Sequence, residues 1–378
     1  MRPIYLDFNA STPVAPEVAD AMRPLLETHY GNPSSIHWAG RPAHAAVDAA
    51  RRQIAALLGS SSEEIVFTSG GSEANNLAIK GAFFAARGRA NHIVTSQIEH
   101  PATLEPCRFL ERLGAEVTYL PVDGTGRLDP DDVRKAITDR TALVTIMHAN
   151  NEVGTIQPIE DIARIARDRG VLMHTDAAQS VGKIPTSVDD LGVDLLSVAG
   201  HKLYAPKGVG ALYVRRGVAL EPLIHGAGHE RGRRAGTESA LLATGLGAAC
   251  ALAMSGDRNS DIRLMRDRFW AQLRAVFGNQ VVLNGHPSLR LPNTLNVGFI
   301  GHVGADILAR LDGVAASTGS ACHAGRVELS PVLAAMAVPS HVGMGAIRFS
   351  LGRSTTESEI DDVVGRLCAL VPVMNPAA

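Results

Sequence analysis

Cysteine is scarce in this chain of 378 residues, occurring only at Cys107, Cys250, Cys322 and Cys368. The four lie far apart and form no CxxC pair, which excludes a disulfide framework and a zinc knuckle. Metal-ligand spacing is missing too: there is no HExxH, and His44, His148, His174, His225 and His229 have no partner at ligand spacing, so no metal site is expected. Charge of either sign is not in excess, since the formal net charge is −2, and electrostatic binding to nucleic acid would need a basic surplus. No apolar run reaches the roughly 18 residues of a membrane span. The opening MRPIYLDFNASTP lacks the apolar stretch of a signal peptide, so a cytoplasmic location is expected. With 46% hydrophobic and 20% charged residues, the chain reads as an ordinary globular protein with room for more than one folding unit.

Between about residues 63 and 215, short β-type runs alternate with amphipathic stretches. EIVFTS, HIVTS, EVTYLPV, ALVTIM, VLMHTD, DLLSVA and GALYVRR are strand candidates, and SEANNLAIKGAFFAARG is a helix candidate. PIEDIARIARDRG places Ile159, Ile162, Ala163 and Ala166 on one helical stripe that ends at Gly170. The alternation predicts an α/β fold with a largely parallel sheet covered on both faces. From near Gly247 the pattern changes to long helical stretches, PNTLNVGF, ADILARLDG, AIRFSLG and a final helical TESEIDDVVGRLCALV, which predicts a smaller α+β domain. The expected division is 14–250 for the large domain, with 1–13 and 251–378 forming the small one.

Ligands of open α/β sheets gather beyond the carboxyl ends of the strands. Five polar segments stand at such places: TSGGSEANN, QIEHPA, HANNEVG, DAAQ and GHK. The first lacks the spacing of a nucleotide P-loop or a dinucleotide fingerprint. Gly71 and Ser72 there open a helix that can cradle an anion, or else form a tight turn with Ser72 as its cap. Asp176 either caps a helix or holds a ring nitrogen protonated, with Gln179 three residues on. Lys202, after a strand and among Gly200, His201 and PKGVG, is a solvated charge or a desolvated nucleophilic amine. His100 is a core histidine or a ring that stacks on a cofactor and shuttles a proton. Arg348 is a salt-bridge partner or a fork for a carboxylate. Arg231, Arg233 and Arg234 in ERGRRAGTE form a solvated face or an anion-binding rim. Cys107, Cys250 and Cys368 read as buried small hydrophobes, whereas Cys322 in STGSACHAGR reads as part of an exposed loop.

Together YLDFNASTPV, YGNPSSIHWAGR, FTSGGSEANN, IEHPATLEP, HANNEVGTIQP, HTDAAQSVGK, GHKLYAPKGVGALYVRR, GHERGRRAGTE, LPNTLN, STGSACHAG and IRFSLGRSTTESEID resemble the NifS/IscS-type cysteine desulfurases, class V members of the fold-type I pyridoxal-phosphate enzymes. The resemblance implies pyridoxal 5′-phosphate as a Schiff base on Lys202, with Asp176 at the pyridine nitrogen, Gln179 at the phenolic oxygen and His100 stacked on the ring. It assigns the phosphate to Gly71, Ser72 and His201, with Thr237 reaching in from the other subunit of a homodimer, and counts Gly200 among the cofactor-binding residues. Asn151 and Arg348, with Asn32, would bind the substrate carboxylate, and Asn151 also borders the cofactor. Cys322 would take sulfur from L-cysteine as a persulfide, leaving alanine, and hand it to an acceptor protein, as in iron–sulfur cluster assembly. Selenocysteine lyase, acting on L-selenocysteine, is the nearest alternative, followed by a class V aminotransferase or C–S lyase. A non-catalytic subunit rests only on Ala199, where many relatives carry a serine that touches the phosphate.

Overall fold

The computed structural model describes residues 3–256, 259–318, 320–323 and 326–372, with the backbone alone for 320–323, 326 and 327. The chain opens on a short strand, Ile4–Tyr5 (β1), followed by helices Pro16–Glu27 (α1) and Gly40–Leu58 (α2). Each strand candidate of the sequence then becomes a strand: Ile65–Thr68 (β2), His92–Ser96 (β3), Glu116–Leu120 (β4), Thr141–Thr145 (β5), Leu172–Asp176 (β6), Leu195–Ala199 (β7) and Gly210–Val214 (β8). They form one seven-stranded sheet in the order β2-β8-β7-β6-β5-β3-β4. Only β8 runs against the others, pairing antiparallel with β2 and β7, because it returns from β7 after a short connection that holds one 3-10 turn and no α-helix to carry the chain back across the sheet.

Helices Gly71–Ala85 (α3), Pro101–Glu111 (α4), Pro130–Ala136 (α5), Ile159–Asp168 (α6) and Val188–Leu191 (α7) fall between the strands. Alternate strand residues go to opposite faces, as the pleat requires. Val66, Ile93, Leu143 and Leu195 pack with Leu77, Ala78 and Phe83 of α3. Ile65, Phe67, Val94, Val144 and Leu196 instead join a core with α2, α6 and the helix Ala240–Met254 (α8). The expected stripe of α6 is buried at Ile159, Ile162, Ala163 and Ala166. Each side chain so enclosed stabilises the fold by about 1.5–3 kcal/mol for Val, Leu, Ile or Phe.

Beyond helix Asn259–Phe277 (α9), strands Val281–Asn284 (β9), Thr294–Phe299 (β10), Val314–Ala315 (β11), Ser317–Thr318 (β12), Ser320–His323 (β13), Arg326–Leu329 (β14) and Ala346–Ser350 (β15) follow. A four-stranded sheet has the order β12-β15-β10-β9, β1 pairs in parallel with β11, and β13 pairs with β14. A separate core gathers Ile4 and Leu6 with Phe269, Phe299, Phe349 and Leu367. No single helix among the described residues is long and apolar enough to cross a membrane.

One sequence expectation needs correction here. Cys368 is exposed, because the helix Glu357–Leu370 buries Ile360, Val363, Val364 and Leu367, and Cys368 falls one position beyond that stripe. The expected exposed loop around Cys322 has its backbone in strand β13, with Cys322 opposite Val327 of β14, while its side chain and its exposure lie outside the described residues.

The arginine-rich segment is a structural tie. Glu230 accepts from both guanidinium nitrogens of Arg51 at 2.7 Å and from the Phe67 amide at 2.8 Å. Arg234 pairs with Glu73 at 2.9 Å, and Arg231 faces solvent. Glu230 holds a left-handed backbone, φ 48°, a conformation costing about 1–3 kcal/mol that surrounding contacts must offset. Removing one partner of a buried pair strands the other charge, so Glu230→Ala is expected to cost about 3–5 kcal/mol in urea unfolding. A loss below about 1 kcal/mol would mean that the pair does not hold this segment.

Candidate active site

The carboxyl ends of β2, β3, β5, β6 and β7 open on one cavity of ≈ 670 Å³. Its wall carries Gly71, Ser72, His100, Asn151, Asp176, Gln179, His201, Lys202 and Arg348. Residues from Gly71 to Lys202 meet because parallel strands all release their following loops at the same edge, while Arg348 is brought to them from β15 of the second sheet.

At the floor, α3 begins at Gly71 with Gly70 in the cap position, so Ser72 lies inside the first turn and is not the cap. The chain enters early because Ser69 donates its amide to Glu73 Oε2 at 2.8 Å, closing the turn from within the helix. Glycine is required at this spot: a Cβ on Gly210 would sit 2.7 Å from the Gly70 carbonyl carbon, and one on Gly71 would press on the Ala199 Cβ at 3.1 Å. The first-turn N–H groups of α3 have no helical acceptor and belong to residues that line the cavity, Gly71 and Ser72 among them, where an anion could meet them.

Asp176 ends β6 and is almost enclosed, 7% exposed. Its Oδ2 accepts from Asn75 Nδ2 at 2.6 Å and its Oδ1 from the Ala178 amide at 2.9 Å. Two residues earlier on the same face, His174 links Thr145 at 2.8 Å and Ser197 at 3.0 Å, and burial pushes it down to about 4, so this rung between strands is neutral. Glu99 is buried beneath the cavity, where it accepts from Ser96 Oγ at 2.6 Å and from the Met147 amide at 3.0 Å. Desolvation, against these hydrogen bonds and aided by the Asp176 charge, pushes its carboxyl up to about 8.

His100 caps α4, its Nδ1 accepting from the Ala102 amide at 3.0 Å. That bond leaves the ring proton on Nε2. Burial lowers the imidazole from its ordinary value, with Asp176 opposing and Lys202 reinforcing the shift.

Lys202 ends a short turn, Gly200–Lys202, directly after β7. Its Nζ donates to the Asn9 carbonyl at 2.5 Å and to the Ala10 carbonyl at 2.8 Å. Desolvation first, and the Arg348 charge second, bring the amine down to about 8 although Asp7 and Asp176 pull the other way. At the rim, Arg348 of β15 donates to the Asn151 carbonyl at 2.9 Å and pairs with Asp7 at 2.8 Å.

Three expected residues stand apart. Gly200 is buried behind the wall, where a Cβ would meet the Val209 carbonyl oxygen at 2.8 Å, so it shapes the turn instead of lining the cavity. Asn32 is exposed with its Oδ1 accepting from the Ser34 amide at 2.9 Å, and Thr237 is exposed beside a neighbouring hollow. Conversely, Asn9, Asn75, Glu99 and Lys183 join the site without having been singled out. Asn75 was within reach of the sequence, because it lies four residues after Gly71 and therefore on the same helical face.

A lysine amine, a carboxylate and an imidazole around a helix start at a parallel-sheet edge define the class, and the chain belongs to it: the family described as Aminotransferase class-V matches residues 4–363. The architecture is the fold-type I α/β arrangement with a mainly parallel central sheet. Within that class, the chain is 49% identical over 382 residues to "Cysteine desulfurase IscS" of Dictyoglomus turgidum, covering 99% of this chain and 97% of that protein. A solved structure titled "NIFS-LIKE PROTEIN" superposes with a TM-score of 0.90 at 37% identity, over 97% of this chain and 98% of the other. Another, "SspA in complex with cysteine", gives a TM-score of 0.83 at 39% identity, over 92% and 98%.

The lowered amine leads to a direct test on cofactor-free protein. Lys202 should acylate with a pH midpoint near 8, because only the neutral amine attacks and its proton leaves well below the ordinary 10.5. Mass-spectrometric mapping across a pH series reads this out, and a midpoint above about 10 would contradict the desolvated site.

Proposed function

We propose that this protein is a cysteine desulfurase that binds pyridoxal 5′-phosphate at Lys202 and moves the sulfur of L-cysteine onto Cys322, leaving L-alanine. The observation that carries the reading is the Lys202 amine, brought down to about 8 in one cavity with Asp176, His100 and the start of α3. These residues fit the cofactor: an amine partly neutral near physiological pH, a carboxylate for a ring nitrogen, and unpaired helix N–H groups for a phosphate. Gly71, Ser72 and His201 would hold the phosphate, Asp176 the ring nitrogen, Gln179 the ring oxygen, and His100 the ring face. When bound, the cofactor supplies a carbonyl carbon for amines and a ring that accepts electrons from the adjoining carbon.

The chain's own groups then do the following. Lys202 would serve as the base, its free amine receiving the α-proton of the substrate on Nζ. Arg348 and Asn151 receive the substrate carboxylate, and the Asp7 pairing keeps the guanidinium fork from swinging away. The Cys322 thiolate attacks the substrate sulfur; a new S–S bond forms and the C–S bond breaks with its electron pair on carbon, which is protonated to the methyl of alanine. Persulfide sulfur then leaves for an acceptor protein.

A large unit, 14–250, would carry the cofactor residues, and a small unit, 1–13 with 251–378, would bring in Arg348 and Cys322. Separate apolar cores support this division. The enzyme would act as a homodimer, with Thr237 serving the pocket of the partner subunit. Support comes from the position of Thr237 outside the cavity and from exposed Tyr30, Ile36 and Trp38, which offer an apolar surface for a second copy.

Two outcomes test the reading. Cys322→Ala is expected to abolish sulfide release from cysteine while the visible absorption of bound cofactor stays; full sulfide release by this variant would overturn the persulfide route. Ala199→Ser should tighten cofactor binding about 2- to 10-fold by adding one hydrogen bond to the phosphate, read by equilibrium titration of apo protein. Unchanged or weaker binding would place the phosphate elsewhere.

A further inference from the structure

The Asn9 carbonyl oxygen accepts two donors from residues that both line the cavity. Lys202 Nζ reaches it at 2.5 Å and Gln179 Nε2 at 3.0 Å. Gln179 therefore holds its amide nitrogen next to the reactive amine, in a wall position that is 5% exposed. At its other end, Gln179 Oε1 accepts from Lys183 Nζ at 3.0 Å. The Lys183 amide donates to Ser180 O at 2.9 Å, and Gly182 before it turns through φ 74°. These turns carry the Lys183 side chain back toward Gln179.

A carboxamide has a donor end and an acceptor end of nearly equal shape, so it can flip and exchange them. Here a flip would set oxygen against the Asn9 oxygen and NH₂ against the Lys183 nitrogen. The first contact would turn repulsive in every state, and the second whenever the Lys183 amine carries its proton. Asn9 is itself immobilised: its amide donates to Ser350 Oγ at 2.9 Å, its Nδ2 to Thr294 Oγ1 at 2.8 Å and to Asn151 O at 3.2 Å, and its Oδ1 accepts from Asn293 Nδ2 at 2.9 Å.

We propose that Lys183 is a positioning residue: with the Asn9 carbonyl it clamps the Gln179 carboxamide so that its second N–H faces the cavity beside Lys202. This inference rests on the cofactor reading above, in which that N–H meets the ring oxygen. Stability alone does not account for a lysine at this place. Burial, with the Lys202 and Arg348 charges, brings its amine down to about 7, so an apolar side chain would relieve a desolvation penalty.

The test uses apo protein titrated with pyridoxal phosphate, and follows the dissociation constant and the pH midpoint of the visible absorption band. Lys183→Met is expected to weaken binding about 2- to 10-fold and to move that midpoint, with thermal stability kept or raised. In a Gln179→Ala background the same substitution should change neither quantity. An equal loss with and without the Gln179 carboxamide, or a lowered melting temperature with an unmoved midpoint, would reduce Lys183 to a structural residue and overturn the proposal. If the unsubstituted protein develops no visible band with the cofactor, the cofactor reading fails and this proposal falls with it.

Discussion

Keeping a lysine amine out of water is the constraint on which the rest of the structure depends. Lys202 can be partly neutral near physiological pH only if solvent is replaced by groups that do not restore its charge. The Asn9 and Ala10 carbonyls satisfy its hydrogens, while Arg348 opposes the pull of Asp7 and Asp176. Dipoles accept the amine's hydrogens without the full attraction of a directly paired carboxylate, which would lift its proton affinity.

That arrangement needs the chain's beginning and end at the same place. Asn9 follows β1, whose partner β11 lies more than 300 residues later, and Asn9 is fastened to Asn293, Thr294 and Ser350 near the second sheet. The segment crosses from one apolar core to lay its carbonyls over the lysine of the other. Asp7 on this segment pairs with Arg348, so a single strap orients both the amine and the guanidinium. On the opposite side, the close approach of Gly70 to Gly210 lets the start of α3 reach the cavity floor. The Arg51–Glu230 pair ties the arginine-rich segment to β2, beneath that floor.

Much of the fold was legible in the sequence because burial writes itself into periodicity. β3, β5 and β7 are buried along their whole length, and the alternation of such short β-type runs with amphipathic stretches announced a parallel sheet. The reversal of β8 was not legible, since a fully buried strand reads alike in either direction. The candidate site was legible where position follows local grammar: Asp176 ends a strand, and Lys202 and His100 each stand a few residues past one. Asn9, Glu99 and Lys183 carry no such mark, because each acts through a partner that is distant in sequence or indistinguishable in type from a surface residue. Cys368 was misread for a related reason, since one residue of rotation around a helix separates core from solvent.

By itself, the sequence determined which elements form and which chemical groups stand at the sheet's edge, because hydrophobic period and strand-end position are local properties. Only the tertiary structure decided what state those groups are in. Whether the Lys202 amine is charged, which way the Gln179 amide faces and which partner holds Arg348 depend on groups brought near by topology. Desolvation and Coulomb energy are set by distance in space, and distance along the chain does not encode them.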